Sequence, residues 1–422
     1  MKALLLSLGT RGDIEPFLAI AELLKEHNWD VVCVFPEQFR STTEQMGISF
    51  RGFDKAFLEL LNAKDGKEFM GGRGSVVKRI GILIRLSIQG MKLSRGIVAL
   101  QHETLINEKP DKVLYHPKCN IALLWGMGNL GKSIMVSPMP GMAHPIDEHT
   151  IVAGNLGKHM NRMFYGLVNF AKAVAIKMMA RKYKKDYPAA ATTISGIKKV
   201  MLEKETTFYT SSPSLFTRPP SWPACAKVVG YYERNKELNW VPGDELSLFL
   251  KRYANPVFIT FGSMSTPNPE KKTDAIIRIL TRRQISCIIN TSWGGLKKPE
   301  SYPEHIHFVE DIPYDWLFPR LYAVVHHGGA GTTHTAVKYG CPSLVIPHAV
   351  DQFFWGETIS SKGLGPKSLP IKEFSETLFE SRLVDLIQNK LYKQNARILS
   401  ERMKQETDRE MLYHLISTPE AC

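Results

Sequence analysis

Two short segments hold most of the residues of this chain that could do chemistry. In the first, HHGGAGTTH at His326–His334, two adjacent histidines precede three glycines and two threonines, between a short apolar run and a helix-like stretch. A glycine turn lets backbone N–H groups approach a ligand closely, and a helix start adds unpaired donors and a partial positive charge. The pattern predicts a binding site for an anion such as a phosphate.

Five residues of this turn are expected to hold the anion. Gly329 and Gly331 would bring their backbone N–H groups close, and Thr332 and Thr333 would donate from their hydroxyls. His327 would add a charge-assisted hydrogen bond. The structural alternative is a glycine-rich strand-to-helix turn whose histidines lie in the core or at the surface. The density of polar groups in one turn favours the anion site.

The second segment, HAVDQFFW at His348–Trp355, follows the strand-like run Leu344–Pro347. Its Asp351 and Gln352 place a carboxylate and an amide at the carboxyl end of a predicted parallel strand, which is the edge where α/β sheets bind ligands. Such a pair can hold the hydroxyl groups of a sugar. Together the two segments predict a pocket for a nucleotide sugar.

Alternating strands and helices are expected to position both segments. The chain opens with a βαβαβ pattern, predicted at Lys2–Leu8, Ile14–His27, Asp30–Pro36, Glu37–Met46 and Ile48–Phe53. A second series of strands is predicted at Lys227–Gly230, Pro256–Phe261, Ile285–Asn290, His307–Val309, Ala323–His326 and Ser343–Pro347. This alternation favours an α/β fold with two doubly wound parallel sheets.

Length and composition agree with two domains. A chain of 422 residues is longer than one hydrophobic core usually supports, and 44% hydrophobic with 23% charged residues is typical of a globular protein. We predict a first domain at 1–212, a proline-rich linker at 213–226 and a second domain at 227–394. Six cysteines without C-x-x-C spacing indicate neither a zinc site nor a disulfide framework.

Three motifs carry a family resemblance: DIPYDWLFP at Asp311–Pro319, VVHHGGAGTT at 324–333 and PHAVDQFFW at 347–355. Together they resemble the donor-binding signature of the UDP-glycosyltransferases of glycosyltransferase family 1. The opening LLSLGTRGDIEPFLAIAELL at 5–24 is similar to the start of the sterol, lipid and bacterial aglycone glycosyltransferases of that family. The likeness is weakest between about 53 and 207.

The resemblance implies the GT-B fold, in which two Rossmann-like domains face a cleft. The N-terminal domain would bind the acceptor, the C-terminal domain would bind the nucleotide sugar, and the last helix, at about 395–422, would pack back on the first domain. The implied reaction is inverting, metal-independent transfer of a hexose, with glucose expected, from a UDP-sugar to a hydroxyl group of a sterol, another lipid or an aglycone. The UDP-sugar is a co-substrate, and no cofactor is implied.

The resemblance also assigns roles to single residues. Asp13 would take the proton of the acceptor hydroxyl, the backbone of Ile312 would hydrogen-bond the uracil ring, and Pro140 and His144 would form part of the acceptor wall. The flanking prolines make a structural role the alternative for His144. The remaining donor-binding residues that it implies are Thr10, Arg11, Gly12, Ser263, His327, Gly329, Gly331, Thr332, Asp351 and Gln352.

Asp13 has a competing structural interpretation, because it could cap the helix predicted at Ile14–His27. Position alone favours the cap, whereas the GTRGD resemblance favours the base, and both roles could coexist. A carboxylate with an ordinary pKa near 4 is a weak base for an alcohol. We therefore expect burial in the site to raise the pKa of Asp13.

Two departures from the plant members of the family concern the donor. Asp311 stands where those enzymes carry a Trp that stacks on the base, and Thr335 lies near the place of their ribose-binding Glu. A thymidine diphosphate sugar is therefore an alternative donor. No cluster of carboxylates resembling a D-x-D site stands near the motifs, so a metal is not expected.

Three other functions compete with sugar transfer. A UDP-sugar epimerase of the same architecture would convert its donor without an acceptor. A dinucleotide oxidoreductase would need a G-x-G-x-x-G fingerprint after its first strand, which this chain lacks. A catalytically silent protein that binds nucleotide sugars or lipids is the third alternative, although intact Asp13, His327, Asp351 and Gln352 speak against it.

The chain is strongly basic, with a formal net charge of +13. No nucleic-acid-binding module is recognisable, so nucleic acid is not an expected partner. Val76–Arg95 and Asn161–Lys185 combine apolar faces with lysines and arginines, which predicts contact with an anionic membrane surface. Packing of those faces into the first domain is the alternative. With neither a signal-peptide-like start nor an apolar run of bilayer length, we expect a cytoplasmic protein, peripheral on the inner face of the membrane.

Overall fold

The structure is a computed structural model that describes residues 1–53, 95–150, 155–234, 240–262, 264, 266, 268–291, 295–348 and 351–418. The predicted donor-binding residue Ser263 and all but the last residue of the segment 76–95 lie outside these described residues. The chain divides into two compact units. The first contains 1–53, most of 95–234 and 406–418, and the second lies between 240 and 405.

A parallel sheet of seven strands organises the first unit, in the order β3-β2-β1-β4-β5-β6-β7. Its strands are β1 Lys2–Leu6, β2 Asp30–Pro36, β3 Ser49–Phe53, β4 Lys112–Tyr115, β5 Ser133–Ser137, β6 Thr206–Tyr209 and β7 Ala226–Val228. Its helices are α1 Arg11–Glu26, α2 Arg40–Gln45, the helical residues 95–108, α3 Asn120–Met127, α4 Lys158–Lys182, α5 Ile194–Lys199 and α13 Arg409–Ser417.

The inner residues of the central strands β1, β2 and β4 are apolar because both faces of these strands are covered. Leu4 of β1 is fully buried and pairs with Val32 of β2 on one side and Val113 of β4 on the other. Strands covered on both faces read as continuous runs of Leu, Val and Ile rather than as alternating patterns. The order of the strands reverses direction between β1 and β4, which is the switch point where parallel α/β sheets bind ligands.

The second unit repeats the plan with five parallel strands in the order β10-β9-β8-β11-β12. Its strands are β8 Val257–Thr260, β9 Cys287–Asn290, β10 Ile306–Val309, β11 Ala323–His326 and β12 Ser343–Val345. Its helices are α6 Asp244–Arg252, α7 Pro269–Arg282, α8 Tyr314–Leu317, α9 Ala330–Lys338, α10 Gln352–Ser361, α11 Glu376–Gln388 and α12 Lys390–Gln405. The switch point lies between β8 and β11. The prediction of two doubly wound parallel sheets is confirmed.

The predicted linker and the start of the second domain are placed differently by the structure. β7 pairs with β6 and is therefore the last strand of the first sheet, not the first strand of the second one. The proline-rich segment before it packs onto the first unit: Trp222 is buried against Tyr209, with 4.4 Å between ring centroids, and Arg218 donates to backbone carbonyls around it. The chain passes from the first unit to the second at about residue 235.

The C-terminal helices divide between the two units. α12 packs on α9 of the second unit, and the chain enters the first unit at Glu406. There α13 packs on α1: the rings of Tyr413 and His27 are stacked with centroids 3.6 Å apart, and Arg409 forms an ion pair with Glu26. The expected return to the first domain therefore occurs, but it begins at residue 406 rather than at about 395.

Candidate functional site

The glycine turn lies at the switch point of the second sheet, directly after β11. Gly328 has a φ of +91°, and a Cβ atom there would lie 2.7 Å from Val345 Cγ1 and 2.9 Å from the backbone oxygen of Gln352. At Gly329 a Cβ atom would lie 2.5 Å from Nε2 of His327. Only glycine fits these two places without displacing the neighbouring strand or the histidine ring.

α9 starts immediately after this turn and presents the expected donors. Its N-cap residue is Gly329, so the first-turn N–H groups of Ala330, Gly331 and Thr332 have no partner within the helix. Thr333 departs from the prediction: it is buried, and its hydroxyl donates to the backbone oxygen of Gly329 at 2.9 Å. Thr332, half-buried in the first turn, is the threonine that can serve a ligand.

Three buried histidines gather beside the turn. The N–H of Gly328 donates to Nδ1 of His326 at 3.1 Å, so that ring carries its proton on Nε2. Nδ1 of His348 donates to the oxygen of Ile346 at 2.9 Å, which fixes the opposite tautomer. Nδ1 of His327, like Nε2 of His326 and Nε2 of His348, is buried and has no hydrogen-bond partner among the described residues. A polar atom left in this state is expected beside a site that binds a polar ligand.

The expected charge on His327 is wrong for this structure. Burial, together with the neighbouring His326 and His348, holds the pKa of His327 well below its usual range. Burial also lowers the pKa of His326 to about 3 and that of His348 to about 4. All three rings are neutral at pH 7, because a positive charge loses its hydration in the core. His327 therefore offers a neutral hydrogen bond.

Asp351 and Gln352 lie together at the start of α10, where the sequence placed them. Asp351 is the N-cap residue of that helix. The amide oxygen of Gln352 accepts the backbone N–H of His348 at 2.7 Å and so fixes the loop that follows β12. The Gln352 amide oxygen thus has a structural role, and the binding of sugar hydroxyls by Asp351 and Gln352 stays a prediction.

Ile312 follows β10 and buries its side chain in the core of the second unit. Only its main chain is left for contact with a base, and the role that the resemblance implied stays a prediction. No group of three or more His, Cys, Asp or Glu side chains that could hold a metal ion occurs in the described ranges.

Asp13 lies at the switch point of the first sheet, in the first turn of α1. The helix starts at Arg11, so the N-cap residue is Thr10 and not Asp13. The N–H of Thr10 donates to Oδ2 of Asp13 at 2.8 Å, which makes Asp13 the reciprocal member of a capping box. Gly9 makes room for the carboxylate: its φ is +144°, and a Cβ atom there would lie 2.1 Å from Oδ2.

The other carboxylate oxygen of Asp13 faces two basic side chains that follow β4. Nε2 of His116 lies 3.1 Å and Nζ of Lys118 lies 3.4 Å from Oδ1. The N–H of Lys118 donates to Nδ1 of His116 at 3.2 Å, so the proton of the ring is on Nε2. That N–H is not well aligned with Oδ1, and the pair is a close polar contact rather than a full hydrogen bond.

These contacts reverse the expected effect on the pKa of Asp13. Burial favours the neutral acid, but the charge of Lys118, the contact with His116 and the bond from Thr10 outweigh it and hold the pKa well below its usual range. Burial also lowers the pKa of His116, against the opposing effect of Asp13, so this ring is neutral. The structure therefore presents an ionised Asp13 beside a neutral imidazole.

Asp13 and His116 differ in how far their side chains are exposed. The Asp13 side chain keeps 19% of its surface exposed, whereas His116 is fully buried. Only Asp13 can touch a substrate, and His116 can act on it only through Asp13. His116 and Lys118 were not predicted from the sequence. The signal that could have found them was a histidine directly after a strand that pairs with β1.

Thr10, Arg11 and Gly12 form the exposed start of α1. The guanidinium of Arg11 pairs with Glu15, and a Cβ atom at Gly12 would meet no atom within 4 Å. The first-turn N–H groups point out of this helix start, so the geometry permits contact with an anion. Their role as donor-binding residues stays a prediction.

His144 does not have the free polar edge that an acceptor contact would need. Its Nε2 donates to the oxygen of Leu202 at 3.0 Å, and its Nδ1 accepts from the hydroxyl of Tyr209 at 2.8 Å. Burial lowers the pKa of His144 to about 4. The structural alternative is therefore favoured for His144. Pro140 is buried in the same loop, and its acceptor role stays a prediction.

Two family models match the chain. Residues 3–103 match the glycosyltransferase family 28 N-terminal domain, and residues 284–417 match the erythromycin biosynthesis protein CIII-like C-terminal domain. The matches contain Asp13 and the glycine turn, respectively.

The chain is also similar to named glycosyltransferases, which agrees with the two family models. The chain is 29% identical over 96% of its length to the sterol 3-beta-glucosyltransferase UGT80A2 of Arabidopsis thaliana, and 28% identical over 94% of its length to a sterol 3-beta-glucosyltransferase of Aspergillus fumigatus. It spans 63% of the length of the plant protein and 28% of that of the fungal one.

Solved structures share the fold over nearly the whole chain. The calicheamicin glycosyltransferase CalG4 superposes with a TM-score of 0.70 at 13% identity, covering 97% of this chain and 96% of that one. The spinosyn rhamnosyltransferase SpnG complexed with thymidine diphosphate gives 0.64 at 14% identity, covering 99% and 100%. The two parallel sheets and these superpositions show that the chain has the GT-B fold, and its two domain matches and its relatives make it similar to glycosyltransferases over most of its length.

Proposed function

We propose that this chain transfers a hexose, with glucose as the first candidate, from a UDP-sugar to a hydroxyl group of a lipophilic acceptor such as a sterol. The observation that carries the proposal is the match of 96% of the chain to a sterol 3-beta-glucosyltransferase, with a carboxylate and a glycine turn at the switch points of its two sheets. The reaction requires both groups to act on one substrate.

In the proposed reaction the acceptor oxygen forms a bond to the anomeric carbon while the bond from that carbon to the diphosphate breaks. The acceptor proton passes to Asp13, and the leaving UDP takes the electron pair of the broken bond. Attack opposite the leaving group inverts the anomeric centre. Asp13 is ionised before the reaction, which a base must be, and its low pKa means that it takes the proton late, as the alcohol becomes strongly acidic in the transition state.

The second unit is proposed to neutralise the leaving diphosphate. The N–H groups of Gly331 and Thr332, the Thr332 hydroxyl and the His327 ring are oriented before the substrate binds, which is the effective form of electrostatic catalysis. Protein donors of this kind can replace a metal ion, so we propose a metal-independent reaction in which the UDP-sugar is a co-substrate and no cofactor takes part.

Uridine is the proposed nucleoside of the donor. Thymidine is the alternative, since SpnG was solved with thymidine diphosphate. Competition between UDP-glucose and TDP-glucose for one acceptor, read as the ratio of kcat/KM, decides between them. Equal rates with and without EDTA are expected if the reaction needs no metal.

The experiment for the function incubates the protein with UDP-glucose, with and without a sterol dispersion, and follows both nucleotide and sugar products by chromatography. Sterol glucoside formed together with an equal amount of UDP, and only when sterol is present, supports the proposal. A change of the donor into another UDP-sugar without acceptor would instead identify an epimerase. Donor binding without turnover on sterol, lipid and phenolic acceptors would identify a silent binding protein.

A further inference from the structure

One face of α4 presents a continuous apolar stripe on the surface of the first unit. The inner face of this helix packs on α3 and α5 through buried residues, which are Asn161, Tyr165, Asn169, Ala173, Ile176 and Ala180. The opposite face exposes Met160, Met163, Leu167, Phe170 and Met178. Surface helices normally turn polar residues outward, so the exposed apolar stripe of α4 indicates a second partner.

The charges of α4 identify the chemistry of that partner. Between Lys158 and Lys182 the sequence contains six lysines and arginines and no acidic residue. Arg181, Lys182, Lys184 and Lys185 are exposed at the C-terminal end of the stripe, whereas Lys158 and Arg162 at the other end form ion pairs with Asp147. A surface with an apolar centre and a basic C-terminal end is complementary to an anionic lipid bilayer, whose headgroups meet the charges while the apolar side chains enter the acyl region.

We propose that α4 is the membrane-docking surface of this protein and lies in the headgroup region of an anionic bilayer, with Met163, Leu167 and Phe170 pointing into the lipid. The inference stands independently of the proposed function, because it concerns binding and not turnover. It resolves the alternatives left by the sequence for this helix: its inner face serves the core of the first unit, and its outer face is left for lipid.

Two other arrangements of α4 are disfavoured. By length and composition alone it is the one helix in the described part of the chain that could cross a bilayer. A crossing helix, however, would carry Lys172 and Lys177 into the hydrocarbon and would need its polar inner face, which contains Asn161 and Asn169, to leave the protein. Pairing with α4 of a second copy would oppose two helices that each carry six basic residues and no acidic one.

The test measures sedimentation with vesicles of phosphatidylcholine alone and of phosphatidylcholine mixed with phosphatidylglycerol. We expect binding to the anionic vesicles only, weakened by salt. Leu167→Glu should lower the partition coefficient at least about tenfold, since it removes one buried apolar side chain and adds a repelled charge. Leu248→Glu is the matched control: Leu248 is 64% exposed on α6 of the second unit, against 68% for Leu167, and this variant should bind like the wild type.

Leu167→Ser and Met163→Ser give a second test without added charge, and circular dichroism with thermal melting confirms that each variant is folded. Absence of wild-type binding to anionic vesicles, or equal binding by the Leu167→Glu and Leu248→Glu proteins, would overturn the proposal. A wild-type dimer that Leu167→Glu dissociates, seen by sedimentation velocity without vesicle binding, would assign the stripe to a second copy instead.

Discussion

Nε2 of His116 lies 3.1 Å from Oδ1 of Asp13, while Oδ2 of the same carboxylate accepts the backbone N–H of Thr10 at 2.8 Å. The two oxygens of Asp13 thus have different neighbours. One accepts the hydrogen bond of the helix cap, and the other lies beside His116 and Lys118, which follow β4. Because the contacts use different oxygens, the cap and the proposed base do not exclude each other. A substitution at Asp13 can therefore keep the helix cap and still remove the proposed base for sugar transfer.

Asp13→Asn is the variant that separates them. The amide oxygen can still accept the N–H of Thr10, so the helix cap is kept and the variant should stay folded. The neutral amide loses the attraction of Lys118, so the free energy of unfolding at pH 7 should be lower than that of the wild type. The amide cannot take a proton, so kcat for sugar transfer should fall by at least about 100-fold. Denaturant unfolding and steady-state kinetics measure the two effects. Nearly unchanged kcat in a folded Asn variant would leave Asp13 with the cap alone.

Lys118→Met tests the electrostatic control of Asp13. A carboxylate whose folded pKa is depressed is deprotonated at every pH above its ordinary range, and both its base form and its stabilising effect are lost only as the pH falls through the folded value. Removing the Lys118 charge should raise the pKa of Asp13 toward its ordinary value of about 4. The carbon-13 shift of the labelled Asp13 carboxyl against pH measures this change.

The matched control for that titration is Lys184→Met, which removes an exposed lysine that makes no contact with Asp13 among the described residues. It should leave the carboxyl titration where it is in the wild type. If Lys118→Met also leaves it unchanged, the depressed pKa has another cause than the one proposed.

His327→Ala tests the glycine turn. The ring is proposed to supply one neutral hydrogen bond to the diphosphate, and its loss also opens the space that Gly262 and Gly329 leave for it, so the dissociation constant for UDP should rise about tenfold. Calorimetry on the folded variant measures it. His307→Ala, which removes a half-buried histidine from β10 in the same unit, is the control and should bind UDP like the wild type. Equal affinities for the His327→Ala variant and the wild type would remove His327 from the site.

Glu205 gives a prediction about stability that is independent of the function. It is buried beneath the first sheet, where the hydroxyl of Tyr115 donates to its Oε1 at 2.8 Å, and burial raises its pKa from 4.5 to about 7. Below pH 4.5 the group is protonated in both the folded and the unfolded state, so its ionisation does not lower the free energy of unfolding. As the pH rises above that value the unfolded state ionises first, so the folded state loses relative stability until about pH 7.

Glu205→Gln keeps the acceptor for Tyr115 and removes the ionisation. The shift of pKa from 4.5 to about 7 corresponds to roughly 3 kcal/mol, so the variant should be more stable than the wild type by an amount of this order at pH 8 and should match it near pH 4. Urea unfolding at the two pH values measures the difference. A gap between the proteins that does not change with pH contradicts the assigned shift.

Much of the fold could be predicted from local pattern alone. The bounds of β2 and β11 were predicted to the residue, because a strand buried on both faces reads as an unbroken apolar run between polar ends. The glycine turn was predicted because three glycines between a strand and a helix leave few other conformations. β7 was assigned to the wrong sheet, since a three-residue strand carries no signal of which neighbour it will pair with.

The electrostatics of the site could not be predicted in the same way. Lys118 lies 105 residues after Asp13, and only the pairing of β1 with β4 brings the two together. His327 is neutral because it is buried among other histidines. The segment HHGGAGTT alone does not predict this burial. The sequence therefore predicted which residues lie at the candidate site, while their protonation states followed from packing.

The most direct test of the account is a single incubation with UDP-glucose labelled in the sugar and a dispersed sterol, in the presence of EDTA, for the wild type and for Asp13→Asn. We predict that the wild type moves the label into a sterol glucoside whose anomeric proton couples as a β-linkage, and that the variant does so at a rate lower by at least about 100-fold. A wild-type protein that leaves the label on the nucleotide, or a folded variant that equals it, contradicts the account.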